Sequence, residues 1–231
     1  TYGTVLVRFD GLKYRNSAGT ATTTQGLSTT TYGGNDNRIV AAYPVFTNGT
    51  LSSAPLAVGE NVLFKTSVAA TGGTVGLYRV VFDITTTDDV TFDADETTWK
   101  LYADGVNISS LGTFTSSSAA FTATTAATGY LAFTFTSEYP VSAAQVLELR
   151  GSVTAIGSSG QDSVTSKIGN HVTTATSPDG ASSKAGTLSS TSSTVTWSDK
   201  STVSHSLTTD DWFDDFLLQS INTTQTISIT F

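Results

Sequence analysis

Apolar and polar residues alternate along this chain with a period of two from one end to the other, the pattern of pleated strands that bury one face. Val5, Val7 and Phe9 share one face of a first strand, and Val62, Phe64 and Val68 share one face of another. From Val75 to Ile84 both faces are apolar, with Val75, Leu77 and Val81 on one side and Tyr78, Val80, Phe82 and Ile84 on the other. Such a run predicts a central strand covered on both sides. Trp99 and Leu101 alternate into Ala103, and Asp104-Gly105 then turns the chain into Val106, Asn107 and Ile108. Asp-Gly between alternating runs predicts a hairpin, because both turn residues need φ > 0. Further strands are predicted at Leu131, Phe133 and Phe135, and at Leu147, Leu149 and Val153, which back onto Val146, Glu148 and Arg150. The last strands carry Val195 and Trp197, then Ile227, Ile229 and Phe231. Short strands spaced by turn residues predict an all-β fold, an antiparallel β-sandwich of immunoglobulin-like or jelly-roll-like kind. Val81, Phe82, Trp99, Leu101, Phe133, Leu149 and Trp197 are its expected core.

One stretch departs from this period. In Thr208 to Leu218, Thr209 is placed to cap a short helix near the C-terminus, with Asp210 and Asp211 in its first turn. Trp212 and Phe216 would then meet at i, i+4, as would Phe213 and Leu217. Asp214 and Asp215 belong to the same acidic group, which helix capping accounts for.

Two segments are rich in Thr, Ser, Gly and Asn: Arg15 to Asn37, and His171 to Thr194 with its Pro178-Asp179-Gly180 turn. Residues 1–37 are therefore read as an N-terminal strand and a flexible tether, and residues 38–231 as the β-sandwich domain. A boundary near residues 170–194 would divide that domain into two packed sub-domains. A tether of roughly 20 residues spans on the order of 60 Å when extended, enough to reach a neighbouring molecule.

Composition narrows the setting. Charged residues make up 13% of the chain, about half the globular norm of roughly 25%, and Ser and Thr, about a third of all residues, take their place. Aromatic residues at 10% argue for order rather than disorder. Cys and Met are both absent, which suits long exposure to an oxidising exterior and leaves no disulfide or thiol metal site. The chain begins at Thr1, from which a cleaved leader is expected, and no apolar run approaches a membrane span. A net charge of −8 without a basic cluster disfavours nucleic acid as a partner.

Candidate chemistry is sparse. His171 and His205 are the only histidines, and no Gly-x-Ser-x-Gly elbow occurs, so no enzyme activity is expected. No cofactor is expected, and calcium is the one metal worth weighing. Asp88, Asp89, Asp93, Asp95 and Glu96 crowd one segment, and Asp93 and Asp95 point the same way if the backbone is extended, with Glu96 beside them. Sequons at Asn48, Asn107 and Asn222 are glycosylation candidates, and glycans are a further class of partner.

Several ordered phrases resemble secreted, β-rich surface proteins of ultra-small, candidate-phylum bacteria. They run from Arg38 to Ile84 (RIVAAYPVFTNGT…LYRVVFDI), Thr97 to Ser109 (TTWKLYADGVNIS), Gln145 to Asn170 and Thr194 to Ile229. In the last, Trp197-Ser198-Asp199, His205-Ser206 and Asp211-Trp212 look like that family's closing signature. The resemblance implies a cell-surface address and carries no catalytic residues. In general layout the chain also looks like subunits of donor-strand extracellular fibres.

The function these features lead us to expect is a secreted structural subunit of a pilus-like extracellular filament or surface layer. It would self-assemble as a homo-oligomer by β-strand addition, with Val5, Val7 and Phe9 as the assembly strand, the other course being that Thr4 to Phe9 pairs within its own sandwich. The alternative is a monomeric cell-surface adhesin or carbohydrate-binding module. That alternative needs an exposed aromatic platform, whereas Trp99, Trp197 and Trp212 all read as core.

Overall fold

The computed structural model describes residues 3–5, 12–15, 21–24, 37–93, 95–116, 121–122, 124–169, 180–183, 185–188, 194–215, 218, 221 and 223–231. The chain separates into two units, Thr1–Val40 and Ala41–Phe231. In the first, β1 (Gly3–Val5) pairs antiparallel with β4 (Asn37–Ile39), and β2 (Leu12–Arg15) pairs with β3 (Ala21–Thr24). The stretch expected to be a tether therefore contains β3 and borders β2 and β4.

The second unit is an antiparallel sandwich. Its elements are β5 (Tyr43–Asn48), β6 (Gly59–Thr71), β7 (Val75–Thr86), β8 (Thr91–Phe92), β9 (Lys100–Ala103), β10 (Val106–Asn107), β11 (Gly112–Ser116), β12 (Ala127–Val141), β13 (Gln145–Ala155), β14 (Gln161–Ile168), β15 (Gly180–Ser183), α1 (Ala185–Leu188), β16 (Val195–Ser198), β17 (Trp212–Phe213) and β18 (Gln225–Thr230). One sheet runs β10-β9-β13-β6-β5, with β8 beside β13. The other begins β11-β12-β7, and the far edge of β7 is shared. Phe82–Thr86 of β7 pairs with β14, which carries β18, whereas Gly76–Val80 pairs with β16, followed by β17 and β15. The strand predicted to be covered on both sides is thus the hub of the larger sheet.

The sheets meet through Phe64 and Phe82, whose rings lie edge to face at 5.7 Å. Polar groups tie them as well: Ser166 Oγ donates to the Leu63 carbonyl. Lys65 N donates to Gln225 Oε1 at 3.0 Å, and Gln225 Nε2 donates to the Lys65 carbonyl at 2.6 Å. All seven residues expected in the core are buried. The Asp104-Gly105 hairpin forms as predicted, with φ of 49° and 78° and Ala103 opposite Val106.

Two expectations are corrected. Val62 does not share a face with Phe64, because β6 bulges: Leu149 pairs with Phe64 but Arg150 pairs with Val62, leaving Leu63 as the extra residue. Leu63 and Phe64 are both buried and Val62 turns to the other face. The second correction is the short helix over Thr208–Leu218. Its described residues are turns and bends followed by β17, which pairs with β16 and β15. Trp212 and Phe213 are consecutive and both buried. Extended backbone with cover on both faces achieves that, where a helix would turn them some 100° apart on one surface. Phe216 and Leu217 lie outside the described residues.

Candidate functional site

A dense polar constellation among the described residues is built by the segment 197–212. Trp197 and Ser198 end β16, and Ser198 Oγ accepts from Lys200 N at 2.9 Å. Asp199 Oδ1 accepts from Ser201 N at 3.1 Å and its Oδ2 from Ala41 N at 2.9 Å. Lys200 and Ser204 both take positive φ, so the chain doubles back tightly and presents Val203, 92% exposed, at its tip. The returning limb brings His205 between two carboxylates: Nδ1 lies 2.8 Å from Asp211 Oδ2, and Nε2 lies 2.6 Å from Glu138 Oε2. Lys200 Nζ bonds the other oxygen of Glu138.

Asp211 is fully buried, accepting also from Thr202 N at 3.1 Å and from the Thr209 hydroxyl at 2.7 Å. Burial alone would raise its carboxyl, but Thr209, the Thr202 amide and His205 together hold it below the ordinary range. Asp215 is the opposite case. Burial raises its carboxyl, and the bonds from Thr194 N and Val195 N only partly offset this. These two carboxylates therefore close loops rather than cap a helix, which corrects the role expected for Asp211 and Asp215. Glu138 enters from β12 where the register slips between Thr134 and Tyr139. The space it fills exists because Gly76 on β7 has no side chain, and a Cβ there would collide with it. With both ring nitrogens of His205 engaged, the constellation is arranged to hold this loop against β12.

The structure spreads the other candidates apart. Asp93 Oδ1 accepts from Asp95 N at 3.0 Å, and Asp95 Oδ1 caps the short 3-10 turn at Glu96–Thr98 by accepting from Thr97 N at 2.9 Å. The Thr97 contacts hold the Asp95 carboxyl below the ordinary range. Glu96 turns away to β11, where Oε1 accepts from both N and Oγ of Ser116 at 2.9 Å. Among the described residues no group of three or more His, Asp or Glu side chains is placed to hold a metal ion. Chelator is accordingly expected to leave the melting temperature unchanged. Scanning calorimetry with and without EDTA checks this; a drop that Asp93→Asn with Asp95→Asn abolishes would instead place calcium here.

Asn107 is exposed beside its hairpin turn, Asn48 is half-buried at the end of β5, and Asn222 lies outside the described residues. Of the assembly strand, Val5 pairs with Asn37 within the first unit, while Val7 and Phe9 lie outside the described residues.

The sheet edges are the remaining surface of interest. On β11, Ser116 N is occupied by the Glu96 carboxylate. On β18, the Ser228 carbonyl accepts from Leu56 N at 3.1 Å. On β5 the outer edge is open among the described residues, since β5 pairs with β6 alone. The outer face of the same sheet is covered by a chain of alternating charges, Lys65–Glu148–Arg150–Glu60–Lys100, with Arg150 stacked 3.9 Å over the Tyr102 ring. That cover stops at β6, and beyond it β5 presents Tyr43 and Val45, 45% and 38% exposed. Charge patterning in the sequence marked none of this, because an open edge is a property of pairing. Comparison with known protein families and with curated proteins returns no match.

Proposed function

We propose that this protein is a self-assembling structural subunit of an extracellular filament or surface layer, joined copy to copy by β-strand addition. The observation that carries the reading is the edge of β5, open among the described residues and flanked by exposed Tyr43 and Val45. Such an edge is a template for another strand. The hydroxyl-rich faces suit close packing of copies. Thr128, Thr85, Thr165 and Thr226 stand in register across β12, β7, β14 and β18, and the hydroxyls of the outer two pairs lie 3.1 Å apart. This surface is hydrated without charge repulsion. Kinship with the surface proteins of candidate-phylum bacteria and a secreted, cell-surface setting belong to the same proposal, supported by the absence of Cys and Met.

All three tryptophans are buried, so none forms a sugar-stacking platform, which favours the structural reading over a carbohydrate-binding module. One feature does favour a binding role: an open pocket of 350 Å³ lined by Glu96, Thr97, Trp99, Ser109, Thr113 and Phe114 combines hydroxyls with an aromatic edge. Concentrated protein followed by sedimentation and negative-stain microscopy separates the two. Polymers or lattices that grow with concentration are expected; a chain that stays monomeric while binding glycans would overturn the structural reading.

A further inference from the structure

We infer that the open edge of β5 docks a second copy of this chain in antiparallel register about a twofold axis at Phe46, an inference that rests on the self-assembly reading above. The ladder fixes which groups face outward. Gly49 N donates to the Lys65 carbonyl at 2.9 Å, continuing the unbroken register from Tyr43 opposite Thr71 to Asn48 opposite Thr66. Antiparallel residues alternate in the direction of their main-chain bonds. Thr47, Val45 and Tyr43 therefore bond toward β6, and Asn48, Phe46 and Pro44 turn their main-chain groups to the open edge.

Those groups are self-complementary in a register centred on Phe46. With Phe46 opposite Phe46 of the second copy, each Phe46 amide reaches the other's carbonyl, and each Asn48 amide reaches the Pro44 carbonyl opposite. Every outward N–H of β5 finds an acceptor. Pro44, which has no N–H, disfavours the twofold register centred on itself, where the central pair would have no donor. Pro44 therefore leaves the edge able to pair while narrowing what it pairs with. The side chains agree with this choice. Pro44 and Phe46 are already buried in their own sandwich, whereas Tyr43, Val45 and Thr47 point outward and exposed. The register sets Val45 directly against Thr47 of the second copy, so the exposed valine gains a β-branched cross-strand partner. A twofold contact closes on itself, so it makes a dimer, and a separate contact must extend that dimer into a polymer.

The test is sedimentation velocity over a concentration series, with the melting temperature of each variant recorded. Asn48→Pro removes an outward amide without touching the bonds to β6, and Val45→Lys places a charge on the flank. Each is expected to raise the dimer dissociation constant by at least about tenfold. Val106→Lys, at a more exposed valine on β10, should leave it unchanged. Combining Val45→Lys with Thr47→Glu should restore dimerisation, because this register sets Lys opposite Glu twice. Dimers that survive both single variants, or a double variant no better than Val45→Lys, overturn the β5 contact alone and leave self-assembly standing. Dimers lost as expected in a protein that never polymerises would sink the filament or lattice reading and keep the contact. A wild-type chain that is monomeric throughout overturns both.

Discussion

Trp197→Ala is expected to cost about 3–5 kcal/mol of folding free energy, the usual toll of deleting a buried indole. Trp197 is 1% exposed in β16, and its ring stacks on Phe213 of β17 at 4.7 Å with 25° between planes. Its Nε1 donates to the Asp214 carbonyl at 2.8 Å. The residue therefore joins three things: the arm of the sheet formed by β16, β17 and β15, the hub strand β7, and the backbone that follows β17. Alanine leaves a cavity where these meet. Trp197→Phe separates the contributions, since it keeps most of the stacking surface and forfeits the hydrogen bond, for a loss nearer about 1 kcal/mol. Urea denaturation followed by intrinsic fluorescence and circular dichroism reads both. A cost below about 1 kcal/mol for the alanine variant would mean that β16 and β17 dock without this anchor.

Trp99 and Trp197 were legible in the sequence because apolar residues recur at alternate positions of a strand, and the β7 run because a strand covered on both sides is apolar on both faces. The same signal fails where the period breaks. Leu63 is a single inserted residue, and nothing in the order Val62, Leu63, Phe64 says which of the three the partner strand will skip. The segment 208–218 misleads for a different reason. Its carboxylates and its i, i+4 aromatic spacing satisfy the local requirements of a helix, but Asp211 is committed to His205 and to Thr202 N. Those bonds, with the pairing of Trp212 to Ser198, hold the chain extended. Tertiary partners override local propensity here. The clamp on His205 was half visible. His205 and Asp211 stand close in sequence, but Glu138 comes from β12, brought in by a register slip and by the missing side chain at Gly76. No local pattern encodes that meeting.

The same clamp yields the second large effect. Asp211→Ala is expected to cost about 3–5 kcal/mol, because it strips a fully buried carboxylate from His205, Thr209 and the Thr202 amide while those partners remain. Asp211→Asn keeps the shape and isolates the charge. The Asp211 carboxyl is held below its ordinary value in the fold: burial opposes this, and Thr209, Thr202 and His205 outweigh it. A carboxyl lowered on folding stabilises the native state fully above its unfolded pKa of about 4, and that stabilisation is lost as pH falls through the folded value. The free-energy gap between wild type and Asp211→Asn should therefore be widest at neutral pH and shrink as pH falls below about 4. Taking the difference matters, because Glu60 and Glu148 are also lowered, through Lys100 and Arg150, while burial raises Asp215 and gives it the opposite sign. Those contributions are common to both proteins and cancel. Measured by urea denaturation at a series of pH values, a gap that stays constant into acid would show that the Asp211 charge contributes nothing. The 197–212 loop would then be held by its shape and its neutral hydrogen bonds alone.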